Sequence, residues 1–341
     1  MTNTLTLTTE ELRALMEAAL AASDIRAETA RSIARALLAA EIDGHKGHGL
    51  SRISSYTAQA KSKKIDGQAL PKAETVRPGV LKIDVNSGFA YPAFEIAYQK
   101  LPDMISETGI ACAAFYRSSH FGVAGHHVER LAKSGLIAIA FGNSPKAMAP
   151  WGGKQALFGT NPLAFAAPRP DKLPLMIDLA LTRVNRASIV SAAKSGDPIP
   201  EGWALDKDGQ PTTDPNAALE GTMIPIGGAK GAALALMVEI LAAVVTGANF
   251  GTEATSFFTA GGPPPGVGQF LIAFDPFAIV PKDNYDRRIE ALLSMIETQD
   301  GARLPGSRCH ALRAAAMDNG VTVPANLVEE ARAIAAAGPT S

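Results

Sequence analysis

Ile110-Ala111-Cys112-Ala113-Ala114-Phe115-Tyr116 runs into Arg117-Ser118-Ser119-His120-Phe121-Gly122-Val123-Ala124-Gly125-His126-His127, then into Val128 to Ser134 and Leu136-Ile137-Ala138-Ile139-Ala140-Phe141. The first run is apolar and of strand length, the second is a polar loop, the third has helical spacing, and the fourth is again an apolar strand. This order predicts a crossover unit between parallel strands, where ligands gather at the strand ends, and hence an α/β fold. A dinucleotide fold normally shows Gly-x-Gly-x-x-Gly at such a strand-to-helix junction. Here only Gly122-x-x-Gly125 is present, so a nicotinamide cofactor would have to bind without the usual turn.

Toward the N-terminus, Thr8 and Glu11 form a capping box that opens an amphipathic helix, and Ile25 to Ile42 predicts a second. Further helices are expected at Ile53 to Lys64 and Tyr91 to Glu107, with a strand at Val80 to Val85. Toward the C-terminus, Leu163 to Ala167 and Leu175 to Ile177 read as strands and Thr182 to Ala193 as a helix, followed by a turn-rich passage from Gly202 to Leu219. Gly231 to Phe250 is a long apolar helix, Gln269 to Phe274 a strand, and Asn284 to Thr298 and Pro324 to Ala337 are helices.

The chain has 341 residues, ample for a buried core, and its 32 basic and 33 acidic residues give a net charge of −1. No basic stripe or charge block points to nucleic acid or an anionic membrane, so a small-molecule partner is expected. Cys112 and Cys309 imply no disulfide framework and fit a reducing, cytoplasmic setting. Met1 to Thr8 lacks the pattern of a secretory signal. The apolar run from Gly231 to Phe250 has about the spanning length, but Glu239 lies near its centre and Ala dominates it, so a buried helix is expected.

Chemistry concentrates in Asp43-Gly44-His45-Lys46-Gly47-His48-Gly49-Leu50-Ser51-Arg52, which holds two of the chain's six histidines. The glycines end the preceding helix and allow a close approach to His48. Arg52 offers the planar fork that suits a carboxylate. A proton-carrying imidazole beside a carboxylate clamp suits reduction or oxidation next to an acid group. Metal is disfavoured, because His126 and His127 diverge by about 100 degrees on a helix and His45 and His48 lack companions at a zinc-site spacing. No Gly-x-Ser-x-Gly elbow marks a serine nucleophile.

Asp43-Gly44 through His48-Gly49 and Arg52, Ser119-His120-Phe121-Gly122, Gly159-Thr160-Asn161-Pro162, Asp178-Leu179-Ala180, Gly228-Ala229-Lys230-Gly231 and Arg303-Leu304-Pro305-Gly306 occur in that order. Together they resemble the second type of malate/L-lactate dehydrogenase family, over about residues 8 to 310. The resemblance implies a non-Rossmann NAD(P)-binding domain inserted in a helical and mixed-sheet catalytic domain. Residues 1–115 would then be the N-terminal part of the catalytic domain, 116–280 the cofactor domain and 281–341 a C-terminal helical part, with the chain forming a homodimer. It implies reduction of a 2-oxo or 2-imino acid with NADPH or NADH.

By the same resemblance His48 is the proton donor, and Arg52, Thr160 and Arg186 are substrate ligands. His120, Phe121, Gly122, Val123, Ala124, Asp178, Leu179, Ala180, Ala229, Lys230, Arg303, Leu304, Pro305, Gly306, Ser307 and Arg308 are the cofactor segments. Two positions depart from the family pattern. Gly47 stands where many members have Ser, and Ser188 where cyclic-imine reductases carry an acid and hydroxyacid enzymes often a Lys.

A ketone gains a proton on oxygen as hydride arrives, so a positioned acid is worth roughly 100- to 10,000-fold in rate. A cyclic imine is more basic and can arrive protonated, so it suffers less from a thinned relay. Dianionic malate or sulfolactate would want the cation that Ser188 does not supply, although Lys46, Arg183 or Lys194 could compensate. The expected substrate is therefore Δ1-pyrroline-2-carboxylate or Δ1-piperideine-2-carboxylate. The Arg117 to Pro150 passage and Ser256-Phe257-Phe258 instead look closer to sulfolactate enzymes, so a sulfolactate, malate or lactate dehydrogenase is the alternative. A non-catalytic cofactor-binding protein on the same scaffold is a third reading.

Overall fold

In the computed structural model, which describes residues 3–338, the chain opens with strand β1 (Thr4–Leu7) and helices α1 (Thr9–Ala21), α2 (Ala27–Ile42) and α3 (Ile53–Lys61). The Thr8 capping box forms, with Glu11 N–H donating to Thr8 Oγ1 at 3.1 Å and Thr8 N–H donating to the Glu11 carboxylate at 2.8 Å. Strands β2 (Lys72–Arg77) and β3 (Val80–Asp84), helix α4 (Ala90–Thr108), strand β4 (Ile110–Ser118), helix α5 (Ala124–Ala132) and strands β5 (Ile137–Gly142), β6 (Leu163–Ala167) and β7 (Leu175–Leu179) follow. Helix α6 (Arg186–Ser195), strands β8 (Ala204–Leu205) and β9 (Pro211–Thr212), helix α7 (Pro215–Glu220) and strand β10 (Thr222–Met223) make a small cap with its own core around Ile189, Ile199 and Met223. The chain closes with α8 (Ala229–Glu239), β11 (Val267–Phe274), α9 (Lys282–Glu297), α10 (Ser307–Asn319), β12 (Val321–Pro324) and α11 (Ala325–Ala336).

The central sheet has the order β2-β3-β4-β11-β5-β6-β7. The expected crossover exists, since β4 and β5 both run antiparallel to β11 and therefore parallel to each other. They are not neighbours, because β11 from far along the chain lies between them. Nor does α5 begin at Val128; it begins at Ala124, which takes His126 and His127 into the helix.

Both faces of the middle of the sheet are covered, which is why β4, β11 and β5 read as nearly continuous apolar runs. Ala138, Ala140, Leu271 and Ala273 face α4 and α5, where small side chains let the helices lie close. The alternate residues Ile139, Phe141, Phe270 and Ile272 face α8, whose Val238 and Ala242 beyond it pack on them. Phe94 of α4 stacks on Phe115 of β4 at 4.2 Å between ring centroids, a geometry worth about 0.5–1.5 kcal/mol beyond burial. A separate core joins α1, α2, α3 and α11, and β1 pairs with β12 beside it. Glu239 is buried at the end of α8, and no helix among the described residues is long and apolar enough to cross a membrane.

Candidate active site

The pairing pattern fixes where the loops lie. β3, β4, β5 and β7 run one way and β6 and β11 the other, and the register pairs Ser118 with Val267, Gly142 with Gln269 and Leu163 with both Phe141 and Leu179. One end of the sheet therefore carries the exits of β3, β4, β5 and β7 together with the entries of β6 and β11. His120, Thr160, Asp178 and the segment before β11 share that edge, as the strand-end rule for α/β sheets anticipates. Gln269 of β11 fixes the exit of β4, accepting from Ser118 Oγ at 2.7 Å and donating to the Ser119 carbonyl at 3.1 Å.

The His48 loop lies over this edge as two short 3₁₀ turns, Lys46–His48 and Leu50–Arg52. Glu41, buried at the end of α2, organises it by accepting from Leu50 N–H at 2.7 Å and pairing with Lys46 at 2.8 Å. A Cβ on Gly49 would lie 2.0 Å from Glu41 Oε2, so that glycine is required by the carboxylate.

His48 stacks on His120 with ring centroids 5.3 Å apart and 22° between the planes. His120 Nδ1 is 2.5 Å from the Tyr56 hydroxyl, which is 2.9 Å from that of Tyr91. Burial raises both phenols, so they stay protonated, and Tyr56 can donate to His120 Nδ1 and leave the proton of that ring on Nε2. Burial first, then the charge of Arg52 and the nearby His45 and His126, hold His48 down at about 3. His120 is likewise pushed well down by burial and by Arg52.

Arg52 is only 7 % exposed. Its Nε donates to the Gly47 carbonyl at 2.7 Å, its guanidinium carbon lies 4.7 Å from the centroid of the Phe258 ring, and its buried Nη1 has no hydrogen-bond partner. A buried guanidinium nitrogen without a partner is costly to leave unmade. An incoming carboxylate would satisfy it.

A second group adjoins through the same loop. Asp178 at the end of β7 accepts from Gly125 N–H in the first turn of α5 at 2.8 Å, while burial raises its carboxyl. Gly306, with φ of 79°, packs on Met176 of β7 and sets the start of α10, whose Cys309 Sγ is 3.6 Å from His45 Nε2. His126 turns away from His127, as adjacent helical residues must. His126 Nε2 meets Asp43 Oδ2 at 2.9 Å, and Arg313 binds both Asp43 and Glu129. Burial alone would raise the Asp43 carboxyl, but His126 and Arg313 overcome it and bring it to about 2.

The remaining candidates divide. Thr160 N–H donates to the Ser144 hydroxyl oxygen at 3.0 Å, and the Thr160 carbonyl accepts from Leu181 N–H at 2.8 Å, which ties it to the Asp178–Ala180 exit. The next rung, Ile226 N–H to the Leu181 carbonyl at 2.9 Å, carries the start of α8 alongside. Leu179, Ala180, Ala229, Lys230, Arg303, Pro305, Ser307 and Arg308 are exposed, whereas Phe121, Val123, Ala124 and Leu304 are buried. Gly122 sits against Tyr91 with φ of 80°. Arg186 starts α6 in the cap and reaches the Leu219 carbonyl at 3.4 Å. Ser188 donates to Asn185 Oδ1 at 3.0 Å as part of the α6 cap. Tyr56, Tyr91 and Phe258 were not among the expected site residues. Tyr56 had a signal, since it lies four residues after Arg52 and so on the same helical face.

Among the described residues no three His, Cys, Asp or Glu side chains converge to hold a metal ion. A neutral imidazole pair, an open guanidinium edge and a phenol chain make a site for moving a proton beside a bound carboxylate, the equipment of an oxidoreductase acting on a small acid. The malate/L-lactate dehydrogenase family model matches residues 7–332, and the chain belongs to that family. It is 49% identical over 325 residues to a (2R)-3-sulfolactate dehydrogenase (NADP(+)) from Chromohalobacter salexigens, covering 95% of this chain and 96% of the relative. It is 37% identical over 337 residues to a Δ1-pyrroline-2-carboxylate reductase from Pseudomonas fluorescens, covering 98% of this chain and 100% of the relative. The crystal structure of the Δ1-piperideine-2-carboxylate reductase from Pseudomonas syringae superposes with a TM-score of 0.91 at 35% identity, over 97% of this chain and 99% of that one.

Proposed function

We propose that the chain is an NAD(P)H-dependent reductase of a small cyclic 2-imino carboxylate, Δ1-pyrroline-2-carboxylate or Δ1-piperideine-2-carboxylate. The observation that carries this reading is the single open cation. Arg52 Nη1 is buried and unpaired, and the charge of Arg52 adds to burial in holding both His48 and His120 down. Lys46 is taken up by Glu41 and the Thr322 carbonyl. One carboxylate fits Arg52; a second anionic group would need a cation from outside the His48 loop, such as Arg183 or Lys194. A histidine held neutral also suits a substrate that brings its own proton.

The cofactor segments fit a pyrophosphate-bearing cofactor in the chemistry of their donors. Gly228 and Gly306, both at positive φ, head α8 and α10, and Lys230 and Arg308 stand exposed in the first turns. Free N–H groups at a helix start beside a cation are a ready anion site. When bound, the nicotinamide supplies hydride to the carbon next to the substrate carboxylate. Arg52 orients that carboxylate and is neutralised by it, so that His48 can hold the proton that a 2-oxo acid or an unprotonated imine needs, whereas an imine that arrives protonated takes hydride alone. Residues 116–280 are assigned as the cofactor domain and 1–115 and 281–341 as the catalytic part. The chain pairs with a second copy through the exposed apolar side of α8, which its mass in solution tests.

A 2-hydroxyacid dehydrogenase of the sulfolactate type is the second reading, favoured by the 49% identity to the Chromohalobacter salexigens enzyme. Side-by-side assays of Δ1-pyrroline-2-carboxylate, Δ1-piperideine-2-carboxylate, oxaloacetate and sulfopyruvate with NADPH and NADH separate the two. The expected result is a higher kcat/KM for an imine. Sulfopyruvate reduction far outrunning both imines would select the second reading.

A further inference from the structure

Ser256 to Ala260 bring two consecutive aromatic rings to the two working groups of the site. Phe257 lies edge-on to His120 at 5.2 Å, and Phe258 covers Arg52 while remaining 63 % exposed itself. The backbone of this segment is held by the helix that begins next to Arg52 and by the turn after it. Gln59 Nε2 donates to the Phe257 carbonyl at 2.8 Å, Ser62 Oγ to the Ala260 carbonyl at 2.7 Å, and Lys64 Nζ to the Ser256 and Thr259 carbonyls at 2.7 and 3.0 Å. Lys64 is 2 % exposed and, among the described residues, pairs with no carboxylate. A buried ammonium without a counter-ion is unfavourable, so its place here is explained by the oxygens it gathers.

A guanidinium donates in its plane and packs on aromatic rings through its faces. The guanidinium carbon stands over the Phe258 ring, Gly47 takes Nε, and neither Nη atom has a hydrogen-bond partner among the described residues, Nη1 being the buried one. We propose that residues 256–260 form a strap that positions Arg52, with Phe258 setting the plane of the guanidinium and shielding it from water, and Lys64 anchoring the strap. This rests on the reading of Arg52 as the carboxylate ligand. Arg52 holds the carboxylate alike before and during hydride transfer, so loosening it acts on binding more than on the chemical step.

The test compares Phe258→Ala, Phe258→Tyr and Lys64→Met with the wild type. The readouts are steady-state kinetics on the best substrate of the panel, and calorimetric binding of furan-2-carboxylate, a flat carboxylate that cannot be reduced, to enzyme saturated with NADP+. Phe258→Ala is expected to raise KM and the furan-2-carboxylate Kd by about 2- to 30-fold, the range of a cation–π contact, with kcat little changed. Phe258→Tyr restores both constants, and Lys64→Met reproduces the KM change with an unaltered NADPH Kd. Wild-type KM and Kd in Phe258→Ala would overturn the strap and leave the proposed reaction standing. Phe258-dependent carboxylate binding in an enzyme that reduces nothing on the panel would support the strap and remove the reaction.

Discussion

Three glycines crowd the His48 loop for three different reasons. Gly49 makes room for the buried Glu41, Gly44 adopts φ of 82° where a Cβ would also meet Leu312 at 2.7 Å, and Gly47 has nothing within 4 Å of where its Cβ would be. Their density reads in the sequence as room for a ligand, but at Gly44 and Gly49 the close approach is by the protein itself. His127 shows a role that spacing could not reveal. Its Nε2–H donates to the Phe121 carbonyl at 2.6 Å and its Nδ1 accepts the Tyr98 hydroxyl, so it is buried as the neutral tautomer, and burial holds it at about 3. Unfolded, it titrates near 6.5. Between those values the unfolded chain holds the extra proton, so stability falls as pH drops from about 6.5 toward 3, by on the order of 2 kcal/mol at pH 5 from this residue. Thermal melts at pH 7 and pH 5 should show His127→Gln losing less stability on acidification than the wild type. An identical loss in both would mean His127 does not carry the effect. Glu290, drawn to about 2 by Arg169 despite burial and by Lys172, contributes in a lower window, losing its part as pH falls below about 4.

Elements with one strong period were legible. The capping box of α1, the helical spacing of α4 and the apolar runs of β4 and β5 all appear within a few residues of where the sequence puts them. Polar β2, with only Ala73 less than exposed, carries no alternation to read, and α10 buries only Ala316 and so shows no apolar stripe. α8 is apolar all round, which reads as burial on every side. In the structure one side packs on the sheet, while Leu234 and Leu236, with Ile240 and Val244 in the turn just beyond α8, are between 39 % and 56 % exposed. Such a patch on a single chain marks an association surface. Light scattering should give a dimer for the wild type and a monomer for Leu236→Glu combined with Val244→Glu; a wild-type monomer would contradict the proposed pairing.

At the scale of the whole molecule, the site exists because one end of the sheet collects loops that are far apart in sequence. The crossover around His120 could be read locally, but the insertion of β11 between β4 and β5 could not, since no local pattern encodes a pairing across some 150 residues. That insertion brings the Ser256 to Ala260 strap beside Arg52, while α3 carries Tyr56 to His120. The central claim is that His48 and Arg52 form the reaction centre. It is tested most directly by the kcat/KM of His48→Ala on every substrate the wild type accepts. The expected result is a fall of roughly 100-fold or more for a 2-oxo acid and a smaller fall for an imine; full turnover of every accepted substrate would contradict it.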